Sequence, residues 1–426
     1  MTTTNGAWAG CGGGCTYSYQ WQDCYSGTCI NSTSVGNQTA TLGVGPGEDG
    51  TTVRAVVTAT NASSGLSASA ISNASATVTA TDGLPAPLYF NSAWTTPIGS
   101  SPTISSHNST EISIGLAGAF SADGCSCFGA NFGPGDPTLW AATAGSTPMV
   151  TVEYDQYTGS SVNCDARTFM VPIPSGATEN SAGGQKPGVE DHMTVLETGT
   201  DATWGTNQEF DFYGMTKPGE TPYANTAYGG SCAADGNWHT VKLVHGSWTQ
   251  TGSHPCCGVD GAETPGAIGE ILQRDVQDTP VGGNWGHALA YSGRNNCARS
   301  QSWCGYAYPA NTSDGTGTNS TVNTPESVRL QIKPSVDCRT NTSGRGAQVG
   351  DESSTGVAAT ETEAQMCRTL QIYGAYAVDS NGSFALFLQG TQSTTGGYHF
   401  PIGLASALPT SEVPVSDYQY LAWTVR

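Results

Sequence analysis

Positive charge is what this sequence has least of. Among 426 residues, 14 are Lys or Arg and 34 are Asp or Glu, a formal charge of −20. Only 11% of residues are charged at all, so the acidity reflects missing bases. Without a basic cluster there is nothing to neutralise phosphates, and the net field repels them; this argues against nucleic acid as a partner. It argues equally against an anionic membrane surface. No run of 18 apolar residues occurs, which argues against membrane insertion. Met1 leads straight into polar TTTNG, so the expectation is that a secretory leader has been removed. Phosphate-loop, dinucleotide-glycine and GxSxG signatures are missing, the last disfavouring an α/β-hydrolase. Metal spacings are missing too. The cysteine pairs at 125/127 and 256/257 lack CxxC geometry, and His239 and His245 lack the zincin pattern. The expectation is no metal and no cofactor, with structural calcium left open for the acidic loops 46–50 and 311–315.

What is present points outside the cell. Fourteen cysteines, an even number, read as disulfides in an oxidising compartment. Cys24 with Cys29 and Cys297 with Cys304 are each close in sequence, with turn-forming residues between them. Cys338 with Cys367 ties a strand at 328–337 to the helical stretch that follows. Nine N-x-S/T sequons fit a surface glycoprotein if the source cell glycosylates. Ten Trp, 17 Tyr and 10 Phe supply core mass to a chain in which Gly alone numbers 56. The length is sufficient for one large domain plus a smaller one.

Strand-period alternation dominates the chain. YSYQWQDC at 17–24, TVRAVVTAT at 52–60 and SATVTATD at 75–82 alternate within a first unit, residues 1–82. This stretch resembles the immunoglobulin-like repeats of secreted bacterial multidomain proteins, which carry a YxWxxC start, a short Cys-to-Cys loop and a GxTVRxxVTAxNxxG strand pair. In that resemblance Trp21 is the core Trp, Cys24 and Cys29 close the short loop, and the unit is a spacer or adhesion module. Cys11 and Cys15 fall ahead of the pattern as a further local bridge. Residues 83–90 read as a Pro-containing linker. Residues 91–426 then read as a large β-sandwich or jelly roll with short helices at 266–277 and 361–378. The fold class is all-β.

The large unit resembles an uncharacterised family of secreted bacterial proteins. NSAWTTPI, VPIPSGA, EDHMTVLE, EFDFYG, PGAIGEILQRDV, GHALAYS, VRLQIKPSVD and LQIYGAYAVDSNG carry the resemblance in the family's order. The histidine that usually follows the YPA element is replaced by Asn311. This resemblance implies one secreted domain and no particular activity.

The candidate chemistry begins at EFDF. Glu209 and Asp211 stand two apart on a predicted strand, so both side chains take one face. Paired carboxylates on a sheet face serve glycosidic bond hydrolysis, one as acid and one as nucleophile or base. Crowding splits their pKa values. The spacing resembles the ExDxxE strand of laminarinase-like jelly-roll glycoside hydrolases, with Gly214 where those enzymes carry a third acid. The same pair also suits a plain acidic surface beside Phe210 and Phe212. Asp191 with His192, His287 in GHALAY, and Asp379 after YGAYAV complete the catalytic candidates, the histidines for proton transfer near neutral pH. For substrate, Trp204, Tyr213, Trp285 and Trp303 offer flat rings to sugar faces. Arg329 offers a scarce positive charge to a uronate. The function that follows is a secreted polysaccharide-active enzyme, a glycoside hydrolase, acting on a polysaccharide or cell-surface glycan. A non-catalytic glycan-binding or adhesion glycoprotein is the alternative, and a polysaccharide lyase the second.

Overall fold

The computed structural model describes residues 1–12, 14–118, 137–157, 162–179, 192–220, 235–249, 258–336, 338, 356–380, 384–389 and 415–424. The architecture is mostly β-sheet, in several sheets. Asp191 lies outside the described residues.

The first unit is a four-stranded antiparallel sheet. It contains β1 (Cys15–Tyr25), β2 (Thr28–Asn31), β3 (Thr52–Asn61) and β4 (Ser67–Ile71), ordered β2-β1-β3-β4. Alternation does what period two requires: Val53, Ala55, Val57 and Ala59 of β3 are buried while their neighbours are not. Trp21 of β1 joins Leu42, Val53, Ala55 and Val57 in one cluster. The expected strand at 75–82 is reduced to an isolated bridge, Thr52 with Thr77. The hydroxyls of Ser72 and Ser75 accept the Ala55 and Val53 N–H groups, so side chains take bonds that a ladder would use. Residues 67–71 supply the edge strand instead.

The segment expected as a linker is packed into the interior. Asp82, Leu84, Tyr89 and Phe90 are buried, and Ala86–Pro87 is cis. Around it the first unit meets the rest of the chain. Arg274 reaches Asp82 at 3.4 Å, Tyr25 and Phe90 pack ring to ring, and the Thr33 and Tyr373 hydroxyls lie 2.7 Å apart.

The larger part holds three further multi-stranded sheets. One comprises β5 (Thr138–Thr143), β8 (Met193–Thr198), β11 (Gln208–Tyr213) and β13 (Lys242–Ser247), ordered β13-β11-β8-β5. A small hairpin, β9 (Thr200–Asp201) and β10 (Gly205–Thr206), follows β8. A three-stranded sheet is ordered β12 (Trp238–Thr240), β6 (Met149–Tyr157), β7 (Val162–Pro172). The last sheet contains β14 (Leu289–Gly293), β15 (Arg329–Ile332), β16 (Ala375–Ser380), β17 (Ala385–Leu386) and β18 (Tyr418–Tyr420), ordered β17-β14-β16-β15-β18. Three neighbouring pairs are parallel: β5 with β8, β12 with β6, and β14 with β16. Parallel neighbours need long crossovers and two covered faces, and the central strands are buried accordingly. Every residue of β14 is buried, as are Met193–Glu197 of β8.

Both expected helices are shorter or shifted. Over 266–277 only α1 (Gln273–Asp278) is helical. Gly269, at φ +75°, stands at a position without room for a side chain, because a Cβ would meet the Ala290 backbone at 2.7 Å. The second, α2 (Gly356–Ile372), stops before Gly374, whose φ of +68° terminates it. The rest of the expected helix, from Ala375, is β16, buried among Leu289, Leu330 and Met366. No helix among the described residues is long and apolar enough to cross a membrane. Disulfides join Cys11–Cys15, Cys24–Cys29, Cys297–Cys304 and Cys338–Cys367. The last fastens α2 beside β15, as the sequence led us to expect.

Candidate functional site

An open cleft of about 240 Å³ lies where the ends of β14, β16 and β17 meet the loop 258–270. The β14–β16 pair shapes its floor. Tyr291 pairs with Ala377 but Ser292 pairs with Asp379, so Val378 is an extra residue. Such a bulge breaks alternation, and both Val378 and Asp379 line the cleft. Loop 258–270 is hung from the same strand, the Ala262 N–H donating to the Val378 carbonyl at 2.8 Å.

Four acids converge here from three places: Asp260 and Glu270 on the loop, Asp314 in the SDG segment, and Asp379 at the end of β16. Asp314 is exposed and Asp260 and Asp379 are half-buried, so all three meet solvent. Gly261 sits between two of them. A Cβ there would lie 2.6 Å from the Asp314 Oδ1 and 2.7 Å from the Asp379 Oδ1. Those two distances to one point cap the separation of the oxygens at 5.3 Å. Only glycine permits the loop to approach so closely.

The environments of these acids differ. Burial raises the Asp260 carboxyl to about 7, with the Asp314 charge adding to the rise. The Thr264 N–H, 2.7 Å from Asp260 Oδ1, and the Thr264 hydroxyl moderate it. Beneath the cleft, fully buried Glu326 is pushed up to about 11 by burial, then by a hydrogen bond with Asp314 and the charges of Asp314, Asp379 and Asp260. Glu326 is therefore a neutral acid at pH 7 that donates to Asp314. The Asn296 amide donates to the Asp379 carbonyl at 3.0 Å and fixes this corner. Tyr213 and His192, ring centroids 5.1 Å apart, form part of the cleft wall with Phe387 and Pro265.

Glu209 and Asp211 occupy a different setting. Both leave one face of β11, as period two requires, but each is only 1% exposed. The Glu209 Oε1 accepts the Ala267 N–H at 2.9 Å, and its other oxygen accepts the Tyr89 hydroxyl. The Asp211 Oδ1 accepts the Thr194 hydroxyl at 2.7 Å, and the Gly266 N–H also donates to Asp211. Burial raises both carboxyls, Asp211 further through the Glu209 charge, and the two hydrogen-bond each other. This pair grips residues 266–267 from behind, while Pro265, Gly266 and Ile268 face the cleft.

The remaining sequence candidates scatter. His192 and Asp379 line the cleft, but His287 does not. His287 borders a second cavity at the junction with the first unit, its Nε2 3.0 Å from Asp275 and its Nδ1 2.9 Å from the Ala288 carbonyl. The two candidate histidines, His192 and His287, therefore border different cavities. Tyr213 alone among the aromatic candidates lines the cleft. Trp285 has no exposed surface and belongs to the core, so it offers no ring face. Trp204 packs on Phe210, Phe169 and His245 with its indole N–H on the Met170 carbonyl. Trp303 lines neither cavity, its N–H donating to Gln301. Arg329 is committed internally, donating to the Tyr373 carbonyl at 2.6 Å and the Thr96 carbonyl at 2.7 Å over the Tyr376 ring. Of the loops left open for calcium, 46–50 is closed. Both Glu48 oxygens accept from Ser32, Ser34 and the Gly45 N–H, and burial raises its carboxyl. In 311–315, Asp314 belongs to the cleft.

Sequence reasoning missed Asp260, Glu270 and Glu326. Asp260 and Glu326 sit singly among turn residues and Glu270 lies in the stretch expected to be helical, with no spacing that marks any of them. Comparison with known proteins adds no relative: no family model, no curated protein and no solved structure matches this chain.

Proposed function

We propose that this protein is an extracellular hydrolase of glycosidic bonds, with Asp260 as proton donor and Asp379, beside Asp314, as the acid that works with it. One observation carries the reading: several acids share a single open cleft, and burial there raises one of them, Asp260, to about 7. A carboxyl raised to about 7 still holds its proton near neutral pH and can protonate a leaving oxygen. An acid facing it in the same groove serves as nucleophile or base. Neutral Glu326 donates to Asp314 from below and holds that carboxyl at the cleft. Tyr213 and Phe387 supply ring surface for an apolar sugar face. In this reading Glu209 and Asp211 shape the cleft and touch no substrate.

The four disulfides among the described residues support an oxidising compartment, and the shortage of bases supports a neutral or cationic glycan over a uronate. The uronate reading loses further support from Arg329, whose guanidinium is spent on backbone carbonyls. We further read the first unit as an immunoglobulin-like spacer and the larger part as a modified β-sandwich. The test is incubation with a panel of neutral and amino-sugar polysaccharides, with reducing ends measured for the parent and for Asp260→Asn. New reducing ends from the parent and their loss in the variant are expected. Saturable glycan binding without new ends would replace the hydrolase with a binding protein.

A further inference from the structure

A second cluster of donors stands in the β12–β6–β7 sheet. Glu153 of β6 and His239 of β12 are register partners in the parallel pair, so their side chains are neighbours. Asp235 lies four residues before His239, in the turn that enters β12. One ligand atom from each of the three lies within 4.8 Å of the others. Glu153 and His239 are buried and the Asp235 side chain is 36% exposed, which leaves an entry path from solvent.

We infer that Glu153, Asp235 and His239 bind a first-row divalent cation, Zn²⁺ foremost. The arrangement around His239 supports this. Its Nδ1 lies 2.8 Å from the Asp155 Oδ2, a buried carboxylate. A metal-binding histidine characteristically donates its far N–H to a carboxylate, which fixes the tautomer and aims the other nitrogen. Here that other nitrogen, Nε2, points at Asp235, 3.0 Å away. The contact with Asp235 needs a proton on Nε2; a cation replaces that proton and satisfies nitrogen and carboxylate together. Asn237 closes the ring. Its Nδ2 is 2.6 Å from the Glu153 Oε1 and 3.2 Å from the Asp235 Oδ2. A half-turn of that amide presents its oxygen as a fourth ligand.

One imidazole and two carboxylates suit Zn²⁺ or Mn²⁺; Ca²⁺ takes oxygen ligands and commonly six to eight of them. The benefit of the cation is mechanical. β12 is three residues long; it pairs with β6 in this sheet, and on its other side His239 exchanges backbone hydrogen bonds with Thr216. The Thr240 hydroxyl and the Val241 N–H hold the Tyr213 carbonyl at 2.9 and 3.1 Å. A cation joining His239 to Glu153 therefore braces the strand end that carries Tyr213 into the cleft.

The test uses the full chain, stripped with a chelator and titrated calorimetrically with ZnCl₂, MnCl₂ and CaCl₂. The expected result is one Zn²⁺ per chain, a higher midpoint of thermal unfolding with Zn²⁺, and no comparable response to Ca²⁺. Asp235→Asn replaces the most exposed ligand, so the apo variant should unfold at the parent temperature. Its Zn²⁺ affinity should fall roughly 10- to 100-fold. Glu153→Gln should weaken binding similarly. Absence of saturable 1:1 binding by Zn²⁺ or Mn²⁺ in the parent overturns the inference. So does parent-like affinity in both variants, which would place the cation elsewhere on the acidic surface.

Discussion

Two groups of carboxyls lie on either side of one loop, and they are built in opposite ways. Glu209 and Asp211 come from the middle of a central strand, face inward, and accept from Tyr89, Thr194 and the backbone of 266–267. Asp260, Asp314 and Asp379 come from loops and a strand end and face an open cleft. Crowded acids alone do not make a site. The first group spends its lone pairs on the fold, whereas the second leaves groups in reach of a ligand. The difference teaches that access, and not carboxyl spacing along a strand, separates acids that serve the fold from acids that a ligand can reach.

The sharpest way to break this comparison is a pair of conservative variants. Asp260→Asn removes the transferable proton without changing shape. Turnover of a cleaved polysaccharide should fall roughly 10²- to 10⁴-fold, the usual contribution of general acid catalysis, with unfolding unchanged or shifted slightly upward. Asp211→Asn mimics the neutral carboxyl that burial already favours, so turnover should stay within a few-fold of the parent. If kinetic assays find these two effects exchanged, the cleft is the scaffold and the strand pair is the site.

Truncation should reverse the order for stability. Asp211→Ala leaves the Thr194 hydroxyl and the Gly266 N–H facing a cavity, a loss of about 2–4 kcal/mol. Asp314→Ala, at an exposed position, takes an acceptor from buried Glu326 and from the Ser380 N–H and should cost less, about 1–2 kcal/mol. Urea unfolding of both proteins measures the two values directly.

The same contrast shows why the sequence was readable in one place and opaque in the other. Period-two spacing placed Glu209 and Asp211 on one face of β11, and a strand was expected over 328–337, where β15 begins. Close cysteine spacing located Cys24–Cys29 and Cys297–Cys304. The cleft acids obey no local rule. Asp260, Asp314 and Asp379 become neighbours through the parallel pairing of β14 with β16, a long-range event that composition does not encode. Asp314 lay in a loop considered only for calcium, and Asp379 was visible through the YGAYAVD run. The helix expected over 361–378 failed at Gly374, where the Leu330 carbonyl lies 2.5 Å from where a Cβ would stand. Tertiary crowding set that boundary, and a helical stripe cannot report it.

Several acids along the chain share one property that pH exposes. Folding raises the carboxyls of Asp23 to about 9, Asp49 and Glu197 to about 7, Asp260 to about 7 and Glu326 to about 11, with burial the main cause each time. Between their unfolded values near 4 and these folded values, the native state binds more protons than the unfolded chain. Stability therefore falls as pH rises through that window. His239 and His287, raised by carboxylate partners against burial, act in the same direction: their contribution is complete below about 6.5 and is lost above it. His245 and Asp235, both lowered, act oppositely. The net expectation is a thermal midpoint at pH 5 that exceeds the midpoint at pH 8 by at least about 5 °C. Activity should follow a separate limb, declining above pH 7 as Asp260 loses its proton. A flat stability profile between pH 5 and 8 would show that these acids are solvated in the native protein.

The smallest expected effect isolates the strand pair most cleanly. Tyr89 is buried, and its hydroxyl donates to Glu209 from the segment that joins the two units. Tyr89→Phe keeps the ring and removes that one donor. The Glu209 oxygen then loses a partner that lowers its proton affinity, so its carboxyl should rise further and stay neutral to higher pH. A neutral carboxyl tolerates burial better than a charged one, which limits the cost to about 1 kcal/mol. The Ala267 N–H remains bound to the other oxygen, so the loop that carries the cleft wall keeps its place. Turnover and its pH profile should match the parent within error while the urea midpoint drops slightly. A shift of the pH–rate profile in Tyr89→Phe would mean that the Glu209 proton takes part in the reaction, and the boundary drawn between scaffold and site would have to move to include it.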